Sequence, residues 1–492
     1  MKVKRITSYL SFCFLRRMRN KKVARRETSG ISESMNCRTE GAVRKFLRTP
    51  RGVRHHFSAF SRCIAYGSHL ATFLLLLRGR ENFKQSFLAL LLFSSVSLLS
   101  GCSWLGNTSA VENPNNSKIN KPKEPAQDHI ATFLGNNSRD FYGIGPVPNK
   151  LKVIWSVKTA FTMGRLHNKP PAWGGTSWPG QPSARDNRVL FGSAGGIVYC
   201  LNTEDGSVIW TFKGEDTFKS TPAIYGDKIF ASGLDHYLYC LNAEDGKLIW
   251  KYKAGFEIDG SVAVEEDRVY IGSEDFHFHC LNLNDGSLIY KTERLGSIEG
   301  SCTLVEESVY CGTEQGSLYR INKDDGTIIW KANIGADSDT TPAVYKGKVF
   351  TAAEDGIVRA YNQEDGALVW TFKTKLVPYE KGKKGGIWAS PVIVDDKLYI
   401  GSMDRYMNCL NTENGSVIWR SKVRGPIWSS APYVDGKLVF GDKAGWVYVM
   451  NAADGKIIAD IQIGENVNST PIIYRGRVYV GAFMGKLYCL GE

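Results

Sequence analysis

Residues 241–250 read LNAEDGKLIW. Asp245-Gly246 stands between two apolar alternations, which marks a tight β turn, because glycine takes the positive φ that such turns need. The phrase returns as LNTEDGSVIW (201–210), LNLNDGSLIY (281–290), INKDDGTIIW (321–330), YNQEDGALVW (361–370), LNTENGSVIW (410–419) and MNAADGKIIA (450–459). The turn glycines fall 40 residues apart, with one interval of 49 between Gly366 and Gly415. A fixed period of this length means that the chain repeats one supersecondary unit.

Working outward from the phrase, one period holds four short strands. PAIY is strand A, KIFAS follows a Gly226-Asp227 turn as strand B, YLYCLN is strand C and KLIWKY is strand D. Four antiparallel strands per repeat and no helical segment describe a propeller blade. The A–C sets begin near Gly180, Ser220, Ser261, Ser301, Thr340, Ala389, Ser429 and Ser469. Only seven D strands follow them. The eighth is KVIWSV (152–157), which precedes the first set and would close the ring without an exposed edge. The expected fold is all-β: one eight-bladed β-propeller over residues 150–492, closed by an N-terminal strand.

The phrase resembles the repeat of PQQ-like (quinoprotein-type) propellers, where PQQ is pyrroloquinoline quinone. That resemblance implies that the tryptophan of each blade docks against its neighbour: Trp155, Trp210, Trp250, Trp330, Trp370 and Trp419. Tyr290 and Ala459 depart, so blades three and eight are expected to be held less well. Quinoprotein dehydrogenases share the repeat and grip PQQ with adjacent cysteines, a calcium ion and a catalytic Asp. The chain has no Cys-Cys pair, and no quinone-site motif transfers residue by residue. The expectation is a non-enzyme without cofactor, with a PQQ-dependent oxidoreductase as an alternative.

Cys200, Cys240, Cys280, Cys409 and Cys489 share one strand C position with Met450 and Ala360, the mark of an apolar core site. Cys302 and Cys311 lie opposite each other across a two-residue turn and could form a cross-strand disulfide. His277 and His279 lie two apart on one strand, but the column of His279 is tyrosine in other blades, so packing is expected and no metal. Strand A lines the channel of a propeller, so the residue three before its proline column should ring one mouth. That residue is Pro179, Lys219, Asp259, Glu299, Asp339, Trp388, Trp428 and Asn468: an acidic arc followed by an aromatic one. The long interval supplies KLVPYEKGKKGGIW (375–388) beside the aromatic arc, and a loop rich in Trp, Pro and Gly brings Trp173 and Trp178. Insertions in repeat proteins often mark the working face. Such a mouth suits a peptide or sugar.

The formal charge of +13 is concentrated in residues 1–84, which carry a net +16 and leave −3 for the rest, so nucleic acid is not an expected partner. Residues 1–77 read as a basic leader that is not part of the mature protein. Residues 78–101 read as a signal peptide, with a charged start, the apolar run SFLALLLFSSVSLL and the small-residue sequence before Cys102. This resembles the lipobox of bacterial lipoproteins and implies a diacylated Cys102. Residues 102–149 are expected to be a flexible tether. Fold and lipidation together resemble the outer-membrane assembly factor B family. That resemblance implies a monomeric, non-catalytic scaffold, lipid-anchored at the outer membrane, whose propeller mouth engages a barrel-assembly partner. A surface polysaccharide or peptide binder is a further alternative.

Overall fold

The computed structural model describes residues 128–159, 180–380, 383–464, 466–483 and 485–492. Cys102, the leader, the signal segment, Trp173, Trp178 and Pro179 lie outside them. Seven four-stranded sheets and one five-stranded sheet form the eight blades. In blade 2 the strands are Ala223–Tyr225 (A), Lys228–Ser232 (B), Tyr237–Asn242 (C) and Leu248–Lys253 (D). The ring closes as expected. Strand D of blade 8 is Lys152–Lys158, paired antiparallel with Lys486–Gly491, with Trp155 opposite Cys489. The cysteine column is fully buried in every blade that carries it.

Each blade docks on the next through one repeated contact. The Trp210 indole donates to the carbonyl of Ala243, Trp250 to Leu283, Trp330 to Gln363, Trp370 to Thr412, Trp419 to Ala452 and Trp155 to Thr203, at 2.9–3.1 Å. The ring lies on the turn glycine of that next blade. A Cβ on Gly246 would stand 2.5 Å from the Trp210 ring, so the turn needs glycine for space as well as for its positive φ. Tyr290 does not break the pattern. Its hydroxyl donates to the carbonyl of Lys323 at 2.8 Å and its ring covers Gly326. The weak hold expected at blade three is therefore a working contact. Ala459 lies in blade seven, whose neighbour has no C–D turn, because the chain ends meet there. With no turn glycine to receive an indole, Val147 and Leu151 fill that interface instead.

A second circuit of contacts runs around the channel. The N–H of Thr221 is bonded to the Ser261 hydroxyl and that of Ser261 to the Ser301 hydroxyl, at 2.8 Å. Thr341 to Ser390, Ser390 to Ser430 and Ser430 to Thr470 continue it at 2.9–3.1 Å. These hydroxyls satisfy donors at the start of the innermost strands, which have no further strand to pair with.

The described part of the stretch expected to be a tether, from Asp128, crosses the channel at the A–B end. Its backbone pairs Ile130 with Ala184 of blade 1 and Ala131 with Ile224 of blade 2. Asn137 bonds Val264 of blade 3 and Leu304 of blade 4, Tyr142 bonds Ile393 of blade 6, and Gly143–Ile144 runs parallel to the inner strand of blade 8. The unpaired inner edges of the propeller are what this segment satisfies, so residues 128–149 belong to the fold.

Cys302 and Cys311 are free thiols packed in one apolar cluster, not a disulfide. The register does set them opposite each other, since Thr303 pairs with Tyr310. Burial raises both thiol pKa values above the ordinary range and leaves no thiolate for exchange.

Candidate functional site

The ring predicted from the repeat exists. Lys219, Asp259, Glu299, Asp339, Trp388 and Trp428 converge on one chamber at the D–A end of the channel, and Phe133 of the crossing segment also lines it. The chamber is small, with a volume of about 40 Å³. Asn468 is buried and does not line it.

The aromatic arc differs from expectation. Trp388 and Trp428 are only 6% and 7% exposed and pack together, tilted by 34°, at 4.8 Å between ring centroids. The Trp428 indole donates to the Met403 sulfur, Val377 packs against the pair, and Lys443 lies over the Trp428 ring at 3.5 Å. The arc is thus a packed, low-dielectric wall and offers no exposed aromatic platform.

The acidic arc is larger than the ring column alone revealed. The residue two before each ring position and the residue fifteen after it face the same mouth, because each B–C residue is tied to the D–A loop of its blade. The N–H of Glu274 donates to the Glu257 carbonyl, that of Glu314 to Ser297 and that of Glu354 to Asp337, at 2.9–3.0 Å. Blade 3 contributes Glu257, Asp259 and Glu274, blade 4 Glu299 and Glu314, and blade 5 Asp337, Asp339 and Glu354. None of the corresponding positions in the other five blades is acidic. The B–C column was readable in the repeat: Leu234, Glu274, Glu314, Glu354, Met403, Lys443 and Phe483 split into acidic and aromatic-side members as the D–A column does.

The electrostatics follow from crowding in a buried place. Lys219 pairs with Asp259; burial opposes its charge, yet Asp259 and Glu299 raise its pKa above the lysine range. Burial, then Asp259 and Glu299, push the Glu274 carboxyl up to about 9. Burial and Asp259 push Glu299 up to about 8, and burial with Glu354 and Glu314 pushes Asp337 up to about 7. Asp339 is displaced upward as well, by burial and Glu299. One lysine does not balance this many carboxylates.

The two histidines are engaged in hydrogen bonds within blade 3 and its border. His279 is bonded to Asp275 at 3.1 Å and to the Tyr252 hydroxyl at 3.0 Å, and His277 to the Thr292 carbonyl at 2.8 Å. The chamber does not fit PQQ. Its volume is far below the roughly 300 Å³ of a small cofactor pocket, and the chain has no adjacent cysteines.

Fold and chamber define a class: an eight-bladed propeller with a plugged channel and an acidic mouth. The chain belongs to the family described as the beta-propeller of beta-alanine-activating enzyme, whose model matches residues 181–491. No curated protein matches the sequence. Among solved structures, a europium-containing methanol dehydrogenase is similar at TM-score 0.61 and 14% identity, over 74% of this chain and 98% of that one. A quinohemoprotein alcohol dehydrogenase from Comamonas testosteroni is similar at 0.60 and 14%, over 74% and 81%. BamB from Moraxella catarrhalis is similar at 0.46 and 15%, over 70% and 100%. At these identities the first two establish the propeller fold alone, and the third is given no weight.

Proposed function

We propose that this chain is a non-catalytic docking propeller of the bacterial envelope, anchored through a lipid on Cys102, that engages a protein partner at the D–A mouth. The insertion in the long repeat interval carries the reading. It folds as a separate hairpin, Val377–Glu380 paired with Lys383–Gly385, in an otherwise regular ring. The hairpin leans on blade 5 so closely that a Cβ on Gly386 would stand 2.1 Å from the Cα of Gly356. Its base packs on the aromatic wall through Val377. A local addition to a uniform scaffold, placed beside the channel mouth, is how repeat folds acquire a binding surface. The sequence before Cys102 supports the anchor. Burial removes Trp388 and Trp428 from the surface that the polysaccharide or peptide alternative would use, while Trp173 and Trp178 lie outside the described residues. The matched family's name favours a second reading, in which the propeller serves an enzyme as an accessory module.

The test is mild crosslinking and mass spectrometry on native membranes, comparing the full chain with a variant lacking residues 377–385, which restores the forty-residue spacing. The expected result is an acylated Cys102 and protein crosslinks that depend on the hairpin. A barrel-assembly component among them would name the partner class, and a co-purifying enzyme would favour the second reading. Partners recovered equally without the hairpin, or an unacylated terminus with no membrane partner, would overturn the proposal.

A further inference from the structure

Carboxylates of neighbouring blades converge in the acidic arc. We propose that it binds a hard divalent cation of the calcium type, through Glu257, Asp259 and Glu274 of blade 3 and Glu299 and Glu314 of blade 4. The site lies at the same mouth as the proposed docking surface, but cation binding there does not depend on a docked partner.

The geometry is that of a coordination shell. One oxygen from each of Glu257, Asp259 and Glu274 lies within 4.8 Å of the others, and the same holds for Glu274, Glu299 and Glu314. Oxygen ligands at about 2.4 Å from a common calcium ion stand roughly 3.4–4.8 Å apart. Glu274 belongs to both trios, so it lies at the centre of the arrangement.

A second observation points to a missing positive charge. Asp259 is only 6% exposed, and its Oδ1 has no hydrogen-bond partner among the described residues, while its other oxygen holds Lys219. A buried, unpartnered carboxylate oxygen is costly unless a cation completes it. The donor set is all carboxylate, with no His or Cys, which selects a hard ion over zinc or copper. Five carboxylates on flexible side chains suit calcium better than magnesium, which keeps its waters and takes one or two carboxylates. The chamber beside them holds about 40 Å³, room for a few waters to finish the shell. The packed tryptophans on the opposite wall exclude bulk water and strengthen the attraction.

The experiment uses the full chain, stripped with a chelator and titrated with Ca²⁺, Mg²⁺ and Tb³⁺ salts. Trp388 and Trp428 line the same chamber, so Tb³⁺ emission excited through tryptophan is expected, with displacement by Ca²⁺. Saturating Ca²⁺ should raise the thermal midpoint by about 5 °C. Glu274→Gln should lose both responses, yet in chelator it should melt no lower than the parent, because a like charge has been removed. Glu314→Gln gives the same readout if the first variant does not fold. Glu364→Gln, on an exposed turn at the other end of the propeller, should behave as the parent. Absence of emission and of a thermal shift in the parent would overturn the site. So would an unchanged response in both chamber variants, or a response to Mg²⁺ alone.

Discussion

Tyr290 shows how single residues hold the ring. It departs from the tryptophan column, yet it keeps both parts of the contact: a ring over the next turn glycine and a donor to the next blade's carbonyl. The two parts can be separated by substitution. Trp330→Ala removes a buried aromatic and should cost about 3–5 kcal/mol. Tyr290→Phe keeps the ring, strands one carbonyl and should cost only about 1 kcal/mol. Denaturant unfolding of the two variants checks the ratio; equal losses would mean that the hydrogen bond, not the ring, does the docking. The column itself was plain in the repeat. The role of Tyr290 was not, because a hydroxyl's reach to a carbonyl depends on how two blades are set against each other.

Among the elements, the segment Asp128–Ile144 falls within the expected tether of residues 102–149. A tether would leave its polar residues to solvent. They are instead spent on the inner strands. Arg139 is wholly buried and donates to the carbonyls of Cys302 and Phe133 at 2.9 and 2.8 Å, and it forms no carboxylate pair among the described residues. Burial lowers its pKa to about 10. Arg139→Ala should leave these carbonyls unsatisfied and cost about 2–4 kcal/mol. The same loss should appear as faster amide exchange at Ile224 and Leu304, whose N–H groups are bonded to the crossing segment. If exchange there is unchanged, the segment is not held by this residue. Nothing in the local sequence announces this role, since the Cys302 partner of Arg139 comes from blade 4, more than 160 positions away.

For the whole molecule, the acidic arc couples stability to pH. Glu274, Glu299 and Asp337 have folded-state pKa values raised to about 9, 8 and 7, against roughly 4 in the unfolded chain. Between those limits the folded state binds more protons, so stability falls as pH rises. In chelator, the thermal midpoint should therefore decline steadily from pH 5 to pH 9. Glu274→Gln should flatten the upper part of that decline. A midpoint that rises over this range would contradict the crowding described here.

The repeat alone determined the blade count, the closing strand, the tryptophan column and the two-sided ring, because each is a local pattern copied at a fixed interval; the docking role of that column came from the resemblance to PQQ-like propellers. The eight-blade ring then follows, since every copy must bury the same faces against the next. Only the tertiary structure decided that the tryptophans form a sealed wall, that Cys302 and Cys311 remain thiols, and that a polar segment threads the channel. It also decided that Glu257, Glu274 and Glu314 join the ring acids. These outcomes depend on which loops a closed circle brings to one mouth. That convergence spans blades and is absent from any single period of the sequence.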